Sequence, residues 1–314
     1  MSPLEHAYWL ALRLHRALRR PRRLPRRVLS VGNLSTGGEG KTPMVAALAQ
    51  EAERRGILAC VLSRGYRGRL RGPVLVEPHM PETQVGDEPL LLARQGLMVV
   101  KCRDRYQGGL YALGLRPQVG LFLLDDGFQH WGLGRDLDLV LLDVRTDWRR
   151  QRLLPLGRLR EPLGALGRAH VVVLVGAKEP PGALLELLRG HTRARVFSAW
   201  YEPLGLWEPA TGGSFPPEWL RGRPVGAFCG LARPEGFKGM LQGLGAELRG
   251  FAAFRDHHRF SQGELRALRG LGRWTVCTEK DIMRIAHPWE GLLVLRVALR
   301  AQEGLYECIF KEEA

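Results

Sequence analysis

Apolar residues along this chain gather in short, nearly unbroken runs at residues 28–31, 57–62, 97–100, 119–124, 137–142 and 171–175. Each run has the length of a strand, and the scarcity of apolar–polar alternation marks strands buried on both faces of a sheet. Segments of helix-forming composition lie between them, such as MVAALA at 44–49 and PLLLA at 89–93. Strands alternating with helices predict an α/β fold, a mostly parallel sheet flanked by helices.

From about residue 200 the text changes. The stretch YEPLGLWEPATGGSFPPEWLRGRP at 201–224 is dense in proline, glycine and tryptophan and reads as the approach to a domain boundary. After it, VGAFCGLA, LRGFAAFRDHHRFS, WTVC and GLLVLRVALR predict strands, and PEGFKGMLQGL and QGELRALRGL predict helices. These make a second, smaller αβ domain. The expected division is 1–26 for a basic N-terminal helix and arm, 27–220 for the larger domain and 221–314 for the smaller one.

Residues 3–20 place Leu4, Tyr8, Ala11, Leu14 and Leu18 close to helical spacing, with Trp9 and Leu10 beside the stripe. Arg13, Arg16, Arg19 and Arg20 follow, then Arg22, Arg23, Arg26 and Arg27, and Pro21 and Pro25 end the helix. Leucine and tryptophan on one side with arginine behind suit the surface of an anionic bilayer. The same pattern also describes a first helix packed on the core with a solvated basic tail.

The first connection in the sheet carries the strongest chemical signal. The run at 28–31 leads into Ser35, Thr36, Gly37, Gly38, Glu39 and Gly40, then Lys41 and Thr42, then the helical segment. Glycines let backbone N–H groups approach a polyphosphate, and the helix N-terminus adds partial positive charge. Lys41 would reach the β- and γ-phosphates, and the Thr42 hydroxyl would hold a bridging magnesium ion. Ser35 stands where the usual pattern has glycine. The fold is therefore expected to be phosphate-loop NTPase-like, against the plainer alternative of a glycine-rich turn with a surface lysine.

Other polar residues follow the strands at once. Arg64 and Arg67 come after the second run, where parallel strands of such a sheet face the ligand crevice, and are candidates for an anionic substrate. Asp87 and Glu88 precede an apolar helix and suit its first turn as caps. Asp125 and Asp126 end the fourth run as a second metal-holding element would, although a paired-acid turn without an ion fits the same letters. The loop RRQRLLPLGRLREPLGAL brings Arg158, Arg160 and Glu161 over the crevice or onto a solvated surface.

Composition narrows the class. The chain has 314 residues, 45% of them hydrophobic, and no run of some 18 uncharged apolar residues, so a protein in the cytoplasm is expected. Its five cysteines, Cys60, Cys102, Cys229, Cys277 and Cys308, form no Cys-x-x-Cys pair, which excludes a zinc ribbon or a disulfide framework. A formal charge of +15 calls for an anionic partner, either nucleic acid, an acidic membrane or a phosphorylated substrate.

Eight islands in order, VGNLSTGGEGKTP, LSRGYRGR, VGDEPLLLA, LLDDGFQHW, LLPLGRLREPL, CGLARPEGF, FRDHH and TEKD, resemble the tetraacyldisaccharide 4'-kinases that phosphorylate the lipid A precursor. The resemblance implies a peripheral enzyme at the cytoplasmic face of the inner membrane, using ATP and Mg²⁺. It implies transfer of the γ-phosphate to the 4'-hydroxyl of an acylated glucosamine disaccharide 1-phosphate, with the N-terminal helix docked on an anionic membrane surface and no nucleic acid involved. Carried over by position, residues 35–42 bind nucleotide, Lys41 also acting in catalysis. Thr42 with Asp125 or Asp126 holds magnesium; Arg64, Arg67 and Arg160, candidates from their own positions in the chain, are expected to meet the acceptor. Asp87 lies near the attacking hydroxyl and His257 supports it. Thr36 and Glu39 depart from the family loop, and Glu39 is electrostatically awkward beside a triphosphate.

Two readings from other classes compete. A partitioning-type ATPase switch has a similar doubled-glycine loop, but its lysine would stand where this chain has Thr36. A basic nucleic-acid module without catalysis leaves Lys41, Thr42 and the Asp125–Asp126 pair unexplained.

Overall fold

The computed structural model describes residues 2–37, 40–256 and 258–311. The chain forms two compact units, residues 1–200 with 299–314, and residues 201–298. In the first, α1 (Pro3–Ala17) and β1 (Arg27–Asn33) are followed by α2 (Lys41–Arg54), β2 (Ala59–Ser63), β3 (Val74–Leu75), α3 (Glu82–Val85) and α4 (Asp87–Arg94). Then come β4 (Met98–Lys101), α5 (Arg105–Leu115), β5 (Leu121–Asp125), β6 (Leu137–Asp143), β7 (Val171–Val175), α6 (Gly182–Arg189) and the start of β8 (Arg195–Trp207).

The strand order of this unit is β8-β7-β6-β1-β5-β2-β4-β3. All its pairings are parallel except that of the short edge strand β3 with β4. Its central strands are buried along their whole length, which is why their sequences run apolar without alternation. Chain order reverses direction across the sheet at β1, and ligands of such sheets bind at the carboxyl ends beside that reversal. There the strands end on Asn33, Ser63, Lys101, Asp125 and Asp143, polar residues that are all buried. Polar groups withdrawn from water in a row cost free energy unless something pairs with them, so this edge of the sheet is where chemistry is concentrated.

The second unit contains the end of β8, β9 (Ser214–Phe215), β10 (Pro224–Cys229), α7 (Pro234–Gly243), β11 (Glu247–Ala253), α8 (Gln262–Arg269), β12 (Thr275–Thr278), α9 (Glu279–Ile282) and most of β13 (Leu292–Ala301). Its parallel strands run β11-β10-β12-β13 around a core that includes Phe228, Leu241, Val276 and Leu293. The chain then returns to the first unit, where α10 (Leu305–Phe310) is held by Arg27 Nη2 donating to the Ile309 carbonyl at 2.8 Å.

The proline- and tryptophan-rich stretch after residue 200 belongs to the second unit rather than lying before it. Phe215 and Trp219 pack at 4.9 Å between ring centroids, and Trp219 meets Trp274 at 5.1 Å. Phe215 and Trp219 pack half-buried against the core of that unit, and the compact division falls at 200/201 and again at 298/299, not at the 220/221 suggested by composition. No described helix is long and apolar enough to cross a membrane.

Candidate active site

The loop after β1 turns into α2 at Gly40, which takes φ +84° as the residue before the helix, a conformation open to glycine at little cost. Lys41 and Thr42 are the first two residues of the helix. Lys41 Nζ donates to the Gly37 carbonyl at 3.1 Å and stands 3.6 Å from Asp126 Oδ1, so the ammonium lies over the loop that a phosphate would fill. Asn33 Nδ2 reaches the same Gly37 carbonyl at 3.2 Å. Gly38 and Glu39, which belong to the expected nucleotide cradle, lie outside the described residues.

The first half of the loop is fastened to the segment 152–161. Ser35 bridges Leu159, Thr36 N donates to the Arg158 carbonyl at 2.8 Å, and Arg158 Nη2 donates back to the Thr36 carbonyl at 2.7 Å. Arg160 Nη1 then meets both Asp126 oxygens at 2.9 Å. The predicted acceptor-binding arginine is thus turned onto a predicted metal-binding carboxylate.

Asp125 and Asp126 sit where β5 ends. Asp126 has φ +54°, a left-handed conformation that aspartate tolerates but that still stores strain, and such strain concentrates at functional sites. The turn crosses β1 at Gly32, where a Cβ would lie 2.5 Å from Phe128 Cβ, so only glycine lets the carboxylates approach the phosphate loop. Asp125 Oδ2 accepts from Ser63 Oγ at 3.3 Å, while its Oδ1 is buried with no hydrogen-bond partner among the described residues. Burial, with the charges of Glu88 and Asp126 adding to it, pushes the Asp125 acid up to about 7 against Lys41 and Arg105. Burial acts on Asp126 too, but Lys41 and Arg160 outweigh it and hold that carboxyl below the usual range.

These groups fit a hard divalent cation. An unpartnered carboxylate oxygen, a second carboxylate beside it and the Thr42 residue at the helix start offer oxygen donors only. Magnesium binds through one or two carboxylates and completes its shell with water and phosphate. Among the described residues no group of three His, Cys, Asp or Glu side chains is placed to hold a metal ion.

Asp87 is the first residue of α4, is buried, and its Oδ1 accepts from Glu88 N at 3.1 Å. α4 packs on α2, and Glu88 beside it is close enough for its charge to act on Asp125. Lys101, buried at the end of β4, donates to the carbonyls of Leu70 and Gln84 and so ties the 64–70 loop to the turn before α4. On that loop Arg67 lies 5.5 Å over the exposed Tyr66 ring, and the charge of Arg64 is felt at the buried Arg105. His257 lies outside the described residues. Within the second unit its neighbours are Asp256, which accepts from Lys280 Nζ at 2.8 Å, and His258, 3.0 Å from Glu264 Oε1.

Several participants carried no signal in the sequence reading. Gln129 Nε2 donates to the Asn33 carbonyl at 3.0 Å and to Glu161 Oε1 at 3.1 Å, and Arg168 closes on the buried Glu161 at 2.9 Å. Asn33, Ser63 and Lys101 are each the last residue of an apolar strand, and polarity at that position was the available clue.

The N-terminal helix is oriented differently from the expected stripe. Tyr8 and Trp9 turn inward against the cluster that includes Trp148, Leu153 and Leu159, and Tyr8 OH donates to the Arg160 carbonyl at 3.0 Å. Leu4, Leu10, Leu14 and Leu18 are 57–74% exposed. Helical spacing puts these four leucines on one outward face.

A family model described as tetraacyldisaccharide-1-P 4'-kinase matches residues 1–313. The tetraacyldisaccharide 4'-kinase of Parvibaculum lavamentivorans is 38% identical over 296 residues, covering 91% of this chain and 81% of that protein. The one from Anaeromyxobacter dehalogenans strain 2CP-C is 41% identical over 302 residues, covering 88% and 78%. Among solved structures, LpxK from Aquifex aeolicus in complex with ATP matches with a TM-score of 0.77 at 32% identity, over 98% of this chain and 96% of that one.

Proposed function

The chain belongs to the tetraacyldisaccharide-1-P 4'-kinase family and is an ATP-dependent kinase of the lipid A precursor, and we propose that the strand-end cluster around Asp125 is its phosphoryl-transfer centre. The reaction moves the γ-phosphate of ATP to the 4'-hydroxyl of an acylated glucosamine disaccharide 1-phosphate. The observation that carries the assignment is the buried, unpartnered Asp125 Oδ1 beside Asp126 and Lys41.

ATP lies with its phosphates along residues 35–42, cradled by backbone N–H groups and the start of α2. Lys41 leaves the Gly37 carbonyl for the β- and γ-phosphate oxygens and stabilises charge there as the γ-phosphoryl departs. Thr42, Asp125 and Asp126 would hold magnesium, which would neutralise part of the phosphate charge. Arg160, released from Asp126, and Arg64 and Arg67 face the anionic acceptor. Asp87 orients the 4'-hydroxyl and takes its proton.

The acceptor is a membrane lipid, and α1 is the surface through which the enzyme meets it from the cytoplasmic face of the inner membrane. Fully burying one leucine side chain is worth roughly 1.5–3 kcal/mol, so four on one face hold the helix to a bilayer even when each enters only in part. Arg13, Arg19 and Arg20 add attraction to anionic headgroups, about 1 kcal/mol each near the surface. The partitioning-ATPase alternative is not favoured.

The test is transfer of labelled γ-phosphate from Mg-ATP to the acylated disaccharide 1-phosphate in mixed micelles, with Asp87→Ala alongside. Transfer by the parent protein and none by the variant is expected. Undiminished transfer by the variant would remove Asp87 from its role, and no transfer by an ATP-binding parent would require another acceptor.

A further inference from the structure

Glu5 is an acidic residue in the first turn of a basic helix, yet it is 2% exposed. Its carboxylate accepts from four donors: Ser2 N at 2.6 Å, Arg152 Nε at 3.2 Å, Arg152 Nη2 at 3.1 Å and Leu153 N at 3.1 Å. The first belongs to its own helix cap, whereas the other three belong to the segment 152–161. One turn further along α1, Tyr8 OH donates to the Arg160 carbonyl at 3.0 Å. The helix therefore grips both ends of that segment, at 152–153 and at 160.

The segment is a closed turn. Leu159 N donates to the Arg152 carbonyl at 2.9 Å and Leu154 N to the Leu159 carbonyl at 2.9 Å, so what fixes Arg152 fixes Leu159. Its far side is the strap across the phosphate loop, made of the Ser35–Leu159 bridge, the two-way Thr36–Arg158 pairing, Arg160 N to the Leu34 carbonyl at 2.7 Å, and the Arg160 guanidinium on Asp126. A nucleotide loop needs its backbone held in one conformation before the ligand arrives, because ordering it on binding would cost affinity.

We propose that Glu5 and Tyr8 are positioning residues for the nucleotide site, so that α1 holds residues 34–36 in their phosphate-binding arrangement and fixes the backbone of Arg160 beside them while its outer leucines face the lipid. Glu5 acts through Arg152 and Leu153, Tyr8 acts through the Arg160 carbonyl, and neither touches the reacting atoms. The inference rests on the reading of residues 35–42 as the ATP cradle. A helix that served only to dock the membrane has no use for a buried carboxylate aimed at the segment over the phosphate loop.

The experiment measures Mg-ATP binding by the full chain in detergent, together with steady-state KM for ATP and for the acceptor. The proteins are the parent, Tyr8→Phe, Glu5→Gln and Lys41→Ala. Tyr8→Phe keeps the ring against the core and removes only the hydroxyl, so it decides the matter if Glu5→Gln folds poorly. Each positioning variant is expected to bind ATP about three- to tenfold more weakly, the range that one lost hydrogen bond supports; KM for the acceptor is expected to stay unchanged in Glu5→Gln, whose bonds run to residues 152–153, and to rise in Tyr8→Phe, which acts through Arg160. Restoring a carboxylate one methylene shorter in Glu5→Asp is expected to recover part of the affinity. Tyr8→Phe and Glu5→Gln that melt at lower temperature but bind ATP as the parent does would show a merely structural role and overturn the proposal. A parent that binds ATP no better than Lys41→Ala would instead overturn the reading of the cradle.

Discussion

Asp125 and Asp126 are consecutive residues whose carboxyls are driven in opposite directions. Asp126 faces Lys41 at 3.6 Å and Arg160 at 2.9 Å and is held ionised, while Asp125, one residue back and buried in the sheet, is pushed up to about 7. Adjacent acids with separated acidities are a means of keeping one charge in place and holding the other ready for a cation.

Asp125 should therefore make the protein without magnesium less stable as pH rises. Its acidity is shifted upward from the ordinary 3.8 to about 7, so the folded chain binds a proton that the unfolded chain has released between those values. Stability from this group is full below about 4 and is lost as pH rises through about 7. Denaturant unfolding with EDTA is expected to show that slope in the parent and to lose it in Asp125→Asn. Added Mg-ATP should raise the melting temperature of the parent and have much less effect on the variant.

Lys41→Ala is expected to lower kcat/KM about 100- to 1,000-fold, the usual cost of losing a preorganised group at the developing charge. The variant should remain folded, since Lys41 makes one backbone hydrogen bond and one long ion pair. Circular dichroism with single-turnover phosphate transfer checks both halves, and a rate within tenfold of the parent would remove Lys41 from the role.

The fold and the strand–loop–helix turn at Gly40–Thr42 were legible because their signals are local. Six buried strands needed no partner to be recognised, and Gly40, Lys41 and Thr42 sit together in sequence as they do in space. Three things were not. The segment with Arg158 and Arg160, more than a hundred residues away, was expected over the crevice or on a solvated surface, but the hydrogen bonds that fasten it to residues 34–36 lie in a stretch with no periodicity and only tertiary structure shows them. The outward face of α1 was misjudged in part because Tyr8 and Trp9 share the apolar character of the leucines but carry polar groups that suit inward positions. The stretch after residue 200 read as the approach to a domain boundary because proline and glycine are dense in it, whereas its Phe215 and Trp219 pack against the core of the second unit.

Glu5 should supply acid stability. Arg152, Ser2 and the helix cap hold its carboxyl down from 4.5 to about 2 despite burial. A depressed acidity stabilises the fold above the unfolded value and loses that contribution as pH falls from about 4.5 through about 2. Glu5→Gln is expected to flatten the unfolding curve across that window and to leave stability between pH 7 and 8 lower by a pH-independent amount. An unchanged slope between pH 5 and 2 would contradict the assignment.

Gly32→Ala tests whether the carboxylates must approach the phosphate loop as closely as they do. The added methyl would lie 2.5 Å from Phe128 Cβ and 2.7 Å from Phe128 N, and the second of these is backbone that cannot swing aside. Overpacking of this kind costs about 1–3 kcal/mol, which a chain of this size tolerates. The turn carrying Asp125 and Asp126 must shift to make room, and misplacement by about 1 Å at a catalytic centre can cost on the order of 100-fold in rate. The variant is thus expected to fold, to bind the vesicle surface normally and to lose phosphate transfer far more than stability. Melting curves, vesicle sedimentation and transfer assays on one preparation give the comparison. Activity falling only in proportion to the folded fraction would mean that the turn has slack and that Gly32 matters for packing alone.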